Sequence, residues 1–224
     1  MKHFFHSAYV LILLTFLHLT GVAQVTDKDG HTYKTVSIAS NTWMAENLTV
    51  SHFNSGAAIP QAKTEEEWNA GYDNNKPLWC YVNFDPATEK KYGKLYNYHA
   101  VKDVRKLAPA GWHVSTDLEW TAVIKALGED NAEEKLKNNT GWETSSSGEN
   151  GNNETGFSAM PAGFIAYWGK CLSTDRFACF WTGTNPENST NGWSYELDFS
   201  NAVRIHRTAG ASAGNGLSVR CVKD

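Results

Sequence analysis

The chain has 224 residues, with 20 Lys and Arg against 24 Asp and Glu and a formal net charge of −4. A mildly acidic chain does not offer the clustered cations that nucleic acid needs, and no basic amphipathic stretch points to a membrane surface. The length suits one large domain or two small ones, able to bury roughly 70 % of the surface of the unfolded chain.

The chain opens MKHFFHSAYVLILLTFLHLTGVAQ. Lys2 supplies a positive start, an apolar run follows, and Gly21-Val22-Ala23 places small residues where a signal peptidase cuts. The run is too short to span a bilayer and no stop-transfer segment follows, so residues 1–23 read as a signal peptide and 24–224 as the mature chain. No cysteine sits at the cut to carry a lipid anchor. The mature protein is expected to be secreted, periplasmic or at the cell surface, without a membrane span and, having lost Lys2, one unit more negative.

All four cysteines, Cys80, Cys171, Cys179 and Cys221, fall in the mature part. An even number in an oxidising compartment favours disulfides, and the lack of any C-x-x-C leaves zinc or thioredoxin-type chemistry little support. Cys171 and Cys179 enclose only LSTDRFA, which suits a hairpin staple. Cys80 then pairs with Cys221, a long-range link worth roughly 4–5 kcal/mol in the chain-entropy view.

Early in the mature chain, Tyr33, Val36 and Ile38 stand in a β-prone run behind an Asp-Gly turn. Asp27-x-Asp29-Gly30 begins like a calcium loop, but Ile38 occupies the position that needs glutamate and no helices flank it, so a turn is expected. TEEEWNAG predicts a short helix, with Thr64 and Glu67 at its start and Gly71 as its stop. PLWCYVNFD predicts a strand, and KYGKLYNYHAV a strand or a tyrosine-rich short helix. PAGWHVSTDLEW places His113, Asp117 and Glu119 close together. Thr116 and Glu119 fit a capping box, and Trp120, Val123, Ile124 and Leu127 make the apolar stripe of the one main helix, 116–127. His113 and Asp117 find no third metal ligand nearby, so the acids are assigned to helix chemistry. Residues 138–156, NNTGWETSSSGENGNNETG, read as a long surface loop; Glu149, Asn152, Asn153 and Glu154 are an oxygen-rich alternative for calcium. The last third reads as successive strands, with Trp193, Tyr195, Leu197 and Phe199 alternating with polar residues. The fold class is α+β, one domain of antiparallel sheets with long Asn/Gly/Ser-rich loops.

DKDGHTYKTVSIASNTWMAENL, WCYVNFDPATEKKYGKLYNYHAV, LAPAGWHVSTDLEW, ETGFSAMPAGF, FWTGTN and the terminal GLSVRCVKD together resemble the Fibrobacter succinogenes major paralogous domain. That family occurs in exported bacterial proteins, many from Bacteroidota, and has no established biochemical activity. The resemblance covers nearly all of the mature chain and implies a C-type-lectin-like fold, related to that of the formylglycine-generating enzymes, on the surface of a Gram-negative cell. Ser115 stands where the related helix start usually has proline. Ala108 falls where a cysteine often precedes P-x-G-W-H, which the resemblance turns into support for Cys80 as the partner of Cys221.

Three functions follow as expectations. The first is a non-catalytic binding module for a glycan or a surface protein, with Trp168, Trp181 and Trp193 and the polar Asn185, Glu187, Asn188 and Asn191 as its candidate site. Asn185-Pro186-Glu187-Asn188 has an altered order relative to the calcium-dependent sugar motif, so no cofactor is expected and calcium stays an alternative. The second is an enzyme resembling formylglycine generation, weakened by the distance in sequence of Cys221 from other cysteines and by the lack of any catalytic fingerprint. The third is a structural or adhesive subunit of the cell surface.

Overall fold

The computed structural model describes residues 24–144, 150–185, 189–200 and 205–224; residues 1–23, Glu149, Glu187 and Asn188 lie outside the described residues. The elements in chain order begin with β1 (Gln24–Thr26), β2 (Thr32–Ile38), β3 (Asn41–Met44), α1 (Glu65–Asp73), β4 (Trp79–Tyr81), α2 (Glu89–Tyr92), β5 (Lys94–Asn97) and α3 (Tyr98–Val101). They continue with β6 (Trp112–Val114), α4 (Asp117–Leu127), α5 (Ala132–Leu136), β7 (Phe164–Ile165), β8 (Cys171–Leu172), β9 (Phe177–Trp181), β10 (Gly192–Asp198), β11 (His206–Ala211), β12 (Gly216–Leu217) and β13 (Cys221–Lys223).

These strands form three sheets, ordered β1-β2-β3-β13-β6, β11-β10-β9 and β4-β5-β12-β7-β8. The last strand, β13, lies between β3 and β6, so the two ends of the described chain share a sheet. Parallel bridges Gly163–Ala178 and Phe180–Ser218 join β9 to the third sheet. β4 and β8 are the outer strands of that third sheet, yet Cys80 and Cys171 contribute to one buried cluster, so the sheet curls until its edges approach.

Helix α4 supplies the aromatic centre. Trp120 is fully buried, stacks on Tyr195 at 5.0 Å between centroids and meets Trp43 edge-on at 5.4 Å. Its Nε1 donates to Ser115 Oγ at 3.0 Å, so the ring enters the core with its polar handle satisfied. Beside it lies Arg220, fully buried and hydrogen-bonded to no carboxylate among the described residues. Arg220 Nε donates to Asn47 Oδ1, Nη1 to Met44 O and Phe157 O, and Nη2 to Ser158 O, at 2.6, 3.0, 2.7 and 3.2 Å. The guanidinium also lies 4.3 Å from the Phe157 ring centroid. It therefore ties the C-terminal segment to the turn after β3 and to residues 157–158.

Several expectations need correction. The chain does not have one main helix: α1 has 9 residues beside the 11 of α4. Gly71 does not stop α1; it sits inside the helix, where a Cβ would come within 2.1 Å of Leu78 Cδ1, so the glycine serves packing. PLWCYVNFD is a strand only over Trp79–Tyr81, because Asn83 and Phe84 adopt positive φ of 53° and 56° and turn the chain away. Neither expected disulfide is formed, and all four thiols are free. Cys171 pairs with Ile165 in the third sheet and Cys179 with Glu196 in the second, so LSTDRFA does not link two strands of one ladder. Cys80 shares its cluster with Cys171, whereas Cys221 shares one with Cys179.

Candidate binding surfaces

The acids of PAGWHVSTDLEW are held by the start of α4. Thr116 Oγ1 accepts from Glu119 N–H at 3.3 Å, and Glu119 Oε2 accepts from Thr116 N–H at 2.7 Å, a reciprocal capping box. Glu119 Oε1 meets His113 Nε2 at 2.9 Å, and the other ring nitrogen, Nδ1, meets Asp224 Oδ1 at 2.7 Å. Burial works against a charged His113, but the two carboxylates outweigh it and its pKa is raised. Asp117 turns elsewhere: it accepts from Arg207 Nε and Nη2 at 2.5 and 2.7 Å and from the Tyr195 hydroxyl at 2.9 Å. Burial alone would raise the Asp117 pKa, yet these bonds carry it below the usual carboxylate range. His113 and Glu119 thus meet each other, while Asp117 serves a separate contact with Arg207 and Tyr195.

The oxygen-rich turns are likewise used internally. Asp27 Oδ1 accepts from the backbone N–H groups of Asp29 and His31, and Oδ2 from the Tyr33 hydroxyl. Asn152 Oδ1 accepts from Glu154 N–H, and Asn153 holds Ser158 through both its amide groups. Among the described residues no cluster of three His, Cys, Asp or Glu is placed to hold a metal ion.

The tryptophans do not form one surface. Trp181 is fully buried and its Nε1 donates to Tyr96 O at 2.7 Å. Trp193 is covered by the Arg207 guanidinium, 3.5 Å from its ring centroid. Asn191 Oδ1 accepts from Ala213 N–H, fixing a turn, and Asn185 also has a bonding partner. Trp168 stands apart on the β7–β8 hairpin and is 51 % exposed.

Around Trp168 the structure builds an aromatic platform. Tyr167, 41 % exposed, meets Trp168 at 4.8 Å and 90°, and Tyr72 of α1 meets Tyr167 at 5.1 Å and 43°. The hairpin tip is braced. Asn215 Oδ1 accepts from Tyr167 N–H, and Gly169, at φ +99°, packs so close to α1 that a Cβ would stand 2.4 Å from Glu65 O. Gly214 makes room in the same way, since its Cβ would meet Tyr72 Cδ2 at 2.1 Å. Tyr72 and Tyr167 were not singled out in the sequence. The available signal was position: Tyr167-Trp168-Gly169 falls at the turn between two strands, where side chains are forced outward.

A cleft of about 550 Å³ opens on another face, between β2, the segment after β3, and residues 90–93. Tyr33, Tyr92 and Met160 give it apolar wall, while Thr49, Asn138 and Ser158 give it hydrogen-bonding groups. Arg220 contributes to its lining although it is only 1 % exposed. Tyr92 donates its hydroxyl to Asp175, and burial followed by that carboxylate raises the phenol pKa.

No curated protein and no solved structure matches the chain. The family model described as the Fibrobacter succinogenes major domain matches residues 36–223, from β2 through β13. The chain belongs to the Fibrobacter succinogenes major domain family.

Proposed function

We propose that the chain is an exported, non-catalytic binding module of lectin-like architecture that presents Tyr72, Tyr167 and Trp168 to a glycan. The observation that carries this reading is the exposure of two adjacent aromatic rings on a hairpin that is fastened to α1 and to Asn215. Exposed Trp and Tyr faces bury a sugar's C–H surface at small entropic cost, because a two-torsion side chain that is already packed loses little freedom on binding. Three of the thiols sit badly for catalysis. Cys80, Cys179 and Cys221 are buried and burial pushes each thiol pKa up, so none is a ready thiolate nucleophile. That supports the binding reading over a relative of formylglycine generation.

The test is a glycan array with residues 24–224, run with and without calcium, beside the Trp168→Ala and Tyr167→Ala variants. The expected result is binding independent of calcium and weakened about 30-fold by Trp168→Ala, the loss of a 2 kcal/mol anchor. Binding that depends on calcium, or that survives both substitutions, refutes this site. Absence of binding to every glycan refutes the sugar reading.

A further inference from the structure

The cleft on the far side of β2 has a charge unlike that of the protein. The chain carries a net −4, yet Lys34, Lys90, Lys91 and Arg220 line the cleft against one lining carboxylate, Glu46. Asp27 faces Tyr33 and His31, while Asp175 pairs with Lys91 Nζ and takes the Tyr92 hydroxyl, so the cleft's excess positive charge comes from Lys34, Lys90 and Arg220. Glu46 Oε2 accepts from Lys34 N–H. Lys34 and Lys90 are exposed on the rim. At the inner end, Arg220 has four acceptors for five N–H donors, all four uncharged oxygens, which leaves one Nη2 N–H without an acceptor among the described residues. A buried cation hydrogen-bonded only to dipoles, with Glu46 the one lining carboxylate acting on it, projects its field toward the solvent-filled space beside it, and low-dielectric walls concentrate that field.

The structure assigns this cleft as a second binding site, selective for a small ligand bearing an oxyanion, the carboxylate or sulfate of an acidic sugar. The rim lysines draw in the anion, and Thr49, Asn138 and Ser158 offer hydrogen bonds to neighbouring hydroxyl groups. A volume of about 550 Å³ falls within the range of small-molecule sites, about 300–1,000 Å³. This site is distinct from the aromatic platform, so either can fail without the other.

Isothermal titration with four probes tests the assignment: a uronic-acid disaccharide, a sulfated disaccharide, a neutral disaccharide of the same linkage, and inorganic sulfate. The expected result is binding of at least one acidic disaccharide at least tenfold tighter than the neutral one, weakened by added salt because exposed charges are screened. The Lys34→Glu/Lys90→Glu variant changes only rim side chains and is expected to bind about tenfold more weakly with an unchanged melting temperature. Trp168→Ala is expected to leave acidic-probe binding unaltered. Whichever acidic disaccharide binds tighter identifies the oxyanion, and binding of inorganic sulfate at the same site supports charge recognition. Equal affinity for neutral and acidic probes, undetectable binding of every acidic probe at millimolar concentration, or full affinity in the double variant overturns the assignment.

Discussion

Replacing Arg220 by methionine removes a fully buried charge while keeping much of the side-chain volume. Two effects oppose each other. The substitution abolishes the desolvation penalty of a guanidinium, several kcal/mol in a real interior; the burial behind that penalty lowers the Arg220 pKa to about 9. It also strands Met44 O, Phe157 O, Ser158 O and Asn47 Oδ1, which now accept from the guanidinium. Each buried acceptor left unpaired costs about 1–3 kcal/mol. Asn47 Oδ1, Met44 O and Phe157 O lose bonds of 3.0 Å or shorter, and the Phe157 ring loses its cation at 4.3 Å. Stranding therefore outweighs relief, and the net loss is about 3–5 kcal/mol. For a domain of this size that lowers the melting temperature by about 6–20 °C. Arg220→Lys keeps the charge but not the fork, and should fall between. Thermal and urea unfolding followed by far-UV circular dichroism give both values. An Arg220→Met variant within 1 kcal/mol of the parent would refute the view that this residue ties the C-terminal segment to residues 44–47 and 157–158.

The His113 contacts make a pH-dependent latch between the C-terminus and α4. The His113 pKa is raised in the folded state, so the latch contributes fully below the ordinary histidine value of about 6.5 and is lost as pH rises through the higher folded value. The melting-temperature gap between the parent and His113→Gln should accordingly shrink from pH 6 to pH 9; a gap that widens with pH contradicts it. The cysteines give a second outcome. Oxidation by a disulfide such as oxidised glutathione should join Cys80 to Cys171, which share one cluster, and peptide mapping without reduction would show it. A Cys171–Cys179 peptide would contradict that arrangement of the third sheet.

Local chemistry was legible in the sequence and long-range chemistry was not. The Thr116–Glu119 box depends on residues three apart, and Trp193, Tyr195 and Leu197 alternate with polar neighbours in β10, so pattern alone identifies both. FSAMPAGFIAYWG belongs to the last third, read as successive strands, yet β7 is only Phe164–Ile165. Gly163 there takes φ +66° and packs against Leu172 O, a contact no local pattern encodes. Cysteine neighbours depend on the strand order β4-β5-β12-β7-β8, in which β12 comes from the far end of the chain. The aromatic count favoured a sugar site but not its place, because Trp181 and Trp193 look as available in the sequence as Trp168 does. Burial and the Arg207 stack decide between them. The family match fixes kinship, and the proposed function rests on the exposed rings.

The most direct measurement follows the indole N–H signals of the nine tryptophans by NMR while a glycan selected on the array is added. Trp168 should show the largest shift, with the signals of buried Trp120 and Trp181 unmoved, and the Trp168→Ala spectrum should lose that response while keeping the remaining peaks. A response centred on Trp193, or one that persists in Trp168→Ala, would contradict the aromatic platform as the binding site.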